Sequence, residues 1–111
     1  MIAFTIGGLK RLFIEIFKLD SDISYFFRNK KEFRKRSYKK WAAMEMFDYV
    51  LSHGYFDKGR ITLRNLKETA GEFQGMQHEI MERINNDNPC YEPCLIAEDV
   101  AFEFLDFLQT I

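Results

Sequence analysis

Chain breakers and reactive side chains are both scarce in this 111-residue sequence. It contains two prolines, two cysteines, two histidines and six glycines. No apolar run approaches the roughly 20 residues that a helix needs to span a bilayer, so we do not expect this chain to be a membrane protein. Cys90 and Cys94 are too few for a disulfide framework, which favours a reducing, cytoplasmic setting. A bridge between these two thiols is the alternative.

Side chains that can pack in a hydrophobic core, by contrast, are abundant. Hydrophobic residues make up 47% of the chain and aromatic residues 16%, including 12 phenylalanines. This composition excludes disordered, collagen-like and low-complexity classes.

The N-terminal segment differs from a signal peptide. Residues 1–8 are mostly apolar, but the positive charges of Lys10 and Arg11 follow them instead of preceding them, so we interpret this segment as mature structure. The length predicts a single helical domain over residues 1–111.

Helical periodicity dominates the hydrophobic pattern. Apolar residues recur three and four positions apart in residues 9–17 and, most regularly, in residues 97–108. Residues 41–51 have only Glu45 and Asp48 as charged positions, which indicates a central helix buried on most sides. Further helical stripes follow along the chain. The sequence predicts an all-α, compact bundle of five or six helices.

Glycine and threonine positions predict the turns between these helices. We expect Gly54 to end the central helix in the left-handed conformation and Gly59 to supply a positive φ, with at most one short β-hairpin near residues 55–62. Thr62 is expected to cap the next helix. Two further glycines are expected to interrupt that helix: Gly71 and Gly75.

Charge is distributed unevenly, although the net charge is only −1. Residues 1–60 contain 13 Lys and Arg against 7 Asp and Glu, a net of +6, whereas residues 61–111 contain 3 against 10, a net of −7. A basic segment concentrates eight cations in 13 positions: Arg28, Lys30, Lys31, Arg34, Lys35, Arg36, Lys39 and Lys40. An acidic face is expected on the last helix, with Asp99, Glu103 and Asp106 opposite its apolar stripe, Phe102 at its edge and Glu98 completing the candidate surface.

Both charged sets have an ordinary interpretation as solvated surfaces that attract each other within the domain. The alternative is that one of them docks a partner. The basic segment would bind phosphates or an acidic protein. The acidic face would suit a basic partner, because interfaces favour an aromatic anchor surrounded by polar residues. The sequence alone does not decide between them.

Residues 56–66 resemble the second half of an EF-hand. With Gly59 at the sixth loop position, the ligand positions would be Gly54, Phe56, Lys58, Arg60, Thr62 and Asn65. Calcium needs oxygen ligands and a bidentate Glu at the last position, whereas Lys58 and Arg60 would bring positive charge to the ion. The resemblance therefore implies at most a shared helix–turn–helix packing, without calcium binding.

The histidines and thiols form no recognisable motif for a metal or for catalysis. A zinc site would need all of His53, His78, Cys90 and Cys94, and the histidine spacing does not fit the usual pattern. Two catalytic pairs are conceivable: Cys94 with a histidine, and Glu45 with Asp48 as acid and base. The sequence contains neither a nucleophile elbow nor a phosphate loop that would support them. We expect no metal, no cofactor and no enzymatic activity.

Residues 62–84 partly resemble a DNA-binding helix-turn-helix. The turn at 72–75 departs from that motif, and Glu79 and Glu82 lie on the helix that would read DNA, where phosphates would repel them. Nucleic-acid binding would therefore depend on the basic segment and on phosphate contacts.

Two function hypotheses remain. The favoured one is a non-enzymatic protein-binding domain that covers a basic site on a nuclease or other nucleic-acid enzyme. Small inhibitor and immunity proteins and phage anti-defence proteins, anti-CRISPRs among them, are similar in kind. The alternative is a nucleic-acid-binding accessory or regulatory protein that uses the basic segment. A structural subunit of a larger assembly is the third interpretation, and the oligomeric state is left open.

Overall fold

The computed structural model describes residues 2–19, 28, 37–83 and 91–111. Within these ranges the chain forms four helices and two short strands, in the order β1 (Ala3–Thr5), α1 (Ile6–Phe17), α2 (Tyr38–His53), β2 (Arg60–Thr62), α3 (Leu63–Arg83) and α4 (Tyr91–Leu108). The prediction of a compact, mostly helical fold is confirmed, whereas the count of five or six helices is not.

Helix α1 begins after a threonine that caps it, and the helix buries one stripe of its surface. The Thr5 hydroxyl accepts a hydrogen bond from the Gly8 N–H at 3.0 Å, which satisfies one of the donors left open at a helix start. Leu9, Phe13 and Phe17, four residues apart, form the buried stripe. The helix ends at Lys18, whose left-handed backbone lets its N–H donate to the Ile14 carbonyl.

Helix α2 is the predicted central helix, and it extends beyond residues 41–51 at both ends. Ser37 caps its start, since the Ser37 hydroxyl accepts from the Lys40 N–H at 3.3 Å. Six residues distributed around much of the helix are buried: Ala42, Ala43, Met44, Met46, Phe47 and Val50. The interpretation of this helix as buried on most sides is therefore confirmed.

The predicted left-handed conformation of Gly54 is wrong. Its backbone is extended, with φ −69° and ψ 148°. Glycine is nevertheless required at this position, because a Cβ would lie 2.5 Å from the Val50 carbonyl oxygen and 2.9 Å from Ile61 Cδ1. The missing side chain lets β2 approach the end of α2.

A tight turn connects α2 to β2. Asp57 and Arg60 exchange backbone hydrogen bonds of 2.8 and 3.0 Å, and the two central residues, Lys58 and Gly59, have φ of 52° and 77°. Positive φ at both central residues is the geometry of a type I′ turn. The predicted positive φ at Gly59 is confirmed.

The hairpin expected within residues 55–62 is reduced to a single bridge between Asp57 and Arg60. Strand β2 instead pairs with β1 in an antiparallel sheet, which places Phe4 opposite Ile61. The sequence pattern did not indicate this pairing, because it joins two three-residue strands that are more than 50 positions apart.

Helix α3 starts as predicted and continues where a break was expected. The Thr62 hydroxyl accepts from the Asn65 N–H at 3.1 Å and caps the helix. The chain then remains helical for 21 residues, through Gly71 and Gly75. Each glycine costs a helix about 1 kcal/mol relative to alanine. Burial of Leu66, Ala70 and Phe73 on the opposite side outweighs that cost.

Helix α4 packs against both α2 and α3 and completes the core. Its predicted apolar stripe is confirmed: Ala97, Val100, Ala101, Phe104 and Leu108 are each at most 3% exposed. In the described ranges, no helix is both long and apolar enough to cross a membrane.

A cluster of four phenylalanine rings joins α1, α2 and α4. The ring of Phe13 lies 5.9 Å from that of Phe17, 5.1 Å from Phe47 and 4.6 Å from Phe104, measured between centroids. These are the distances and tilted orientations that aromatic pairs prefer. The cluster therefore holds one side of α4 in the core, and the opposite side of α4 lies at the surface.

Candidate functional site

The side of α4 that faces away from the core has alternating apolar and acidic residues. Leu95, Asp99, Phe102 and Asp106 follow one another at spacings of four, three and four, so they form one stripe about 16 Å long, named here the outward stripe. Leu95 is 40% and Phe102 47% exposed. Neither aspartate carboxylate forms an ion pair with another described residue. The stripe thus exposes a phenylalanine ring between two carboxylates, with Leu95 at one end.

Glu98 does not belong to this exposed surface. Its side chain is only 13% exposed, and its carboxylate lies 3.1 Å from His78 Nδ1 on α3, while His78 Nε2 lies 3.0 Å from Glu82. Glu98 is therefore set apart from Asp99 and Asp106, with which the sequence analysis grouped it. It lies at the contact between α3 and α4, because position 98 is turned about 100° from position 99 around the helix.

Glu103 lies beside the outward stripe and has a partner. Its carboxylate is 3.4 Å from the Lys39 ammonium at the start of α2, and both side chains are about half exposed or more. Of the five predicted acidic-face residues, the structure leaves Asp99, Phe102 and Asp106 together on the outward stripe. Leu95 was missed, although its spacing of four residues from Asp99 was a usable signal.

The described part of the basic segment consists of Arg28, Lys39 and Lys40. Arg28 is exposed, Lys39 pairs with Glu103, and Lys40 makes contacts of its own within the chain. The other five predicted cations lie outside the described residues: Lys30, Lys31, Arg34, Lys35 and Arg36.

A groove of about 230 Å³ opens between α2 and α3. We name it the α2–α3 groove, and its chemically distinctive lining residues are Trp41, Glu45, Asp48, Tyr49, His53 and Phe73. The Tyr49 ring stacks on His53 with centroids 4.2 Å apart and planes 17° apart, and it lies 5.6 Å from Phe73. The groove therefore combines aromatic faces with two carboxylates.

Tyr49 also connects the groove to α3 by a polar contact. Its hydroxyl donates to Glu72 Oε2 at 3.3 Å. Burial raises the pKa of Tyr49 above its ordinary value, and the negative charge of Glu72 and its hydrogen bond add to this effect. The phenol therefore remains a neutral donor over the physiological range.

The two histidines among the candidate metal ligands lie in different parts of the fold. His53 lies in the α2–α3 groove, whereas His78 contacts two glutamates between α3 and α4. Cys94 lies on the first half of α4, and Cys90 lies outside the described residues. In the part of the chain that the structure describes, no three His, Cys, Asp or Glu residues are placed to hold a metal ion.

Compared with protein-family models, curated protein sequences and solved structures, this chain shows no match to any of them. The function is therefore argued from the surface chemistry of the described residues, and the outward stripe and the α2–α3 groove are the two surfaces that offer specific chemistry.

Proposed function

We propose that this chain is a non-enzymatic protein-binding domain whose outward stripe docks onto a basic partner. The observation that carries the proposal is the position of Phe102. This ring is 47% exposed and has Asp99 three residues before it and Asp106 four residues after it on the same helix face. Protein interfaces place such an aromatic anchor at their centre, surrounded by polar groups that exclude water.

The charge of the outward stripe favours a basic partner over a second copy of the chain. Two copies meeting through this stripe would bring aspartates towards aspartates, and like charges at an interface cost several kcal/mol. A cleft that binds nucleic acid has the opposite sign, because it must attract phosphates. The partner class that fits best is therefore a nuclease or another nucleic-acid enzyme, which the domain inhibits by covering its basic site.

The packing of α4 supports the same function. Phe104 and Leu108 are fully buried, so the helix that presents Phe102 is anchored in the core along its opposite side. A side chain on a rigid, packed helix loses little conformational freedom on binding, which preserves affinity. Small inhibitor, immunity and phage anti-defence proteins act in this way, by contact and without chemistry of their own.

The experiment that tests this function compares the wild-type chain with a triple charge reversal at Asp99→Lys, Glu103→Lys and Asp106→Lys. Both are used to capture partners from the native host, and each captured protein is then purified and its affinity measured. We expect a basic nucleic-acid enzyme whose activity the wild-type chain inhibits. The triple variant should bind it at least about 30-fold more weakly, which corresponds to about 2 kcal/mol.

A control reverses two carboxylates, instead of three, at another place on the surface. Glu68 and Glu79 are exposed on α3, away from the outward stripe. Glu68→Lys with Glu79→Lys should leave the affinity within about threefold of the wild type. Equal affinity of the wild type and the triple variant for the purified partner, with the fold of both intact, would exclude the outward stripe as the interface.

A further inference from the structure

The outward stripe repeats its chemistry at an interval of seven residues. Leu95 and Phe102 are seven positions apart, and so are Asp99 and Asp106, and all four are exposed. Seven residues are close to two helical turns, so the members of each pair lie on the same side of α4, about 10.5 Å apart along its axis. Helices that pack against each other side by side use this repeat, with apolar residues at one position and charged residues beside them that pair with the partner helix.

The carboxylates on either side of the stripe are already engaged within the chain. Glu98 contacts His78 at 3.1 Å, and Glu103 contacts Lys39 at 3.4 Å. The two aspartates of the stripe form no ion pair with another described residue. A partner therefore meets negative charge at two points about 10.5 Å apart, with the Phe102 ring between them.

We propose that the element of the basic partner that occupies the outward stripe is an α-helix with two Lys or Arg residues seven positions apart and a small residue between them. The inference rests on the proposed function, since it names the partner's structural element at the same site. Cations seven positions apart on one side of a helix are also about 10.5 Å apart, so each can lie opposite one aspartate. Side chains on one face of a β-strand recur at about 6.7 Å, and neither one nor two such intervals match that distance.

Phe102 determines the residue between the two cations. The axes of packed helices lie about 8–10 Å apart, at a distance that depends on the side chains in contact. A half-exposed phenylalanine ring at this distance needs a gap in the facing helix, which alanine or glycine provides. The aliphatic stems of the two flanking Lys or Arg residues can then cover the edges of the ring while their charged ends reach the aspartates.

The test uses two fluorescently labelled peptides of about 18 residues, each held helical by a hydrocarbon staple on the side away from its alanine contact. The matching peptide has two arginines seven positions apart with an alanine four positions after the first. The control peptide has the same composition with the arginines five positions apart, which separates them by about 140° around the helix. Fluorescence anisotropy at about 0.05 M salt measures binding. We expect the matching peptide to bind with a dissociation constant below about 1 mM, and the control peptide at least about fivefold more weakly.

Variants of the chain assign this binding to the outward stripe. Phe102→Ala and Asp106→Asn should each weaken the matching peptide about fivefold or more, whereas Glu79→Gln, an exposed carboxylate on α3, should have no effect. Equal binding of the two peptides would overturn the helical partner, as would no binding of the matching peptide at about 2 mM or unchanged binding in a folded Asp106→Asn variant. The proposed function fails by a different result, which is equal affinity of the wild type and the triple charge reversal for the captured enzyme.

Discussion

Lys39 Nζ lies 3.4 Å from Glu103 Oε2, so the basic segment and the acidic face meet at this point. The pair joins the first turn of α2 to α4. Both side chains are well exposed, at 61% and 47%, and exposed pairs of this kind contribute at most about 1 kcal/mol. The attraction between Lys39 and Glu103 is therefore weak. It uses Glu103 and leaves Asp99 and Asp106 to define the charge of the outward stripe.

The first prediction concerns Phe102. Phe102→Ala should lower the affinity for the basic partner by about 2 kcal/mol or more, because a central aromatic anchor supplies much of the binding energy of an interface. The same change should alter the free energy of unfolding by less than about 0.5 kcal/mol, since the ring is nearly half exposed. Calorimetric titration and urea unfolding measure the two effects.

Ile80→Ala is the matched control for Phe102→Ala. Ile80 is 37% exposed on α3, outside the outward stripe. We expect it to leave partner affinity unchanged. A Phe102→Ala chain that binds as tightly as the Ile80→Ala chain would exclude Phe102 as the anchor.

The second prediction concerns the glycines within α3. Gly71→Ala and Gly75→Ala should each stabilise the protein by about 0.5–1 kcal/mol, because alanine is the better helix former. Neither new methyl group would meet a described atom within 4 Å. Urea unfolding should show a higher midpoint at an unchanged slope.

Gly54→Ala provides the opposite case. Its Cβ would collide with the Val50 carbonyl oxygen and with Ile61, so we expect a loss of stability. Stabilisation by Gly54→Ala, or destabilisation by Gly71→Ala, would contradict the described geometry of these positions.

The third prediction concerns the aromatic cluster of the core. Phe13 is fully buried, and its ring contacts those of Phe17, Phe47 and Phe104. Phe13→Ala should therefore cost about 3–5 kcal/mol, through lost burial and the cavity that remains. Chemical unfolding measures this cost. Phe13→Leu, which retains most of the volume, should cost less, and similar small effects of both changes would place the centre of the core elsewhere.

The fourth prediction concerns pH. Because the pKa of Tyr49 is raised in the folded chain, the folded state holds the phenolic proton more tightly than the unfolded state. This stabilisation is fully present below the unfolded pKa, about 10, and is lost as pH rises through the folded pKa. The free energy of unfolding of the wild type should therefore fall more steeply above pH 10 than that of Tyr49→Phe. Parallel curves for the two proteins between about pH 8 and 11 would contradict the raised pKa.

The sequence predicts the helices well where burial has a helical period. The stripe at 97–108 and the central helix at 41–51 are both found, because their apolar spacing directly reports which side faces the core. The prediction from sequence fails where contacts with residues far away in the chain determine the local structure. The pairing of β1 with β2 depends on contacts between residues far apart in the chain, and the continuity of α3 depends on burial that outweighs two glycines.

The candidate site is predictable to a similar degree. Helical periodicity places Asp99, Phe102 and Asp106 on the surface, and all three are exposed there. The inward turn of Glu98 depends on where α3 lies beside α4, which the sequence of α4 does not contain. The α2–α3 groove is missed for the same reason, since its aromatic and acidic residues come from two helices whose packing must be known first.

The fifth prediction separates the proposed function from nucleic-acid binding through the basic segment. Phosphate contacts release counterions, so an affinity that rests on eight cations falls steeply as salt rises. Because Lys39 is paired with Glu103 and the acidic outward stripe lies on the same helix as Glu103, we expect no binding of a fluorescent 20-nucleotide DNA or RNA at about 0.15 M salt. Fluorescence anisotropy measures this directly. Binding that persists at this salt concentration and is lost on neutralising Arg34, Lys35, Arg36, Lys39 and Lys40 would make nucleic acid the partner and would replace the protein-docking function.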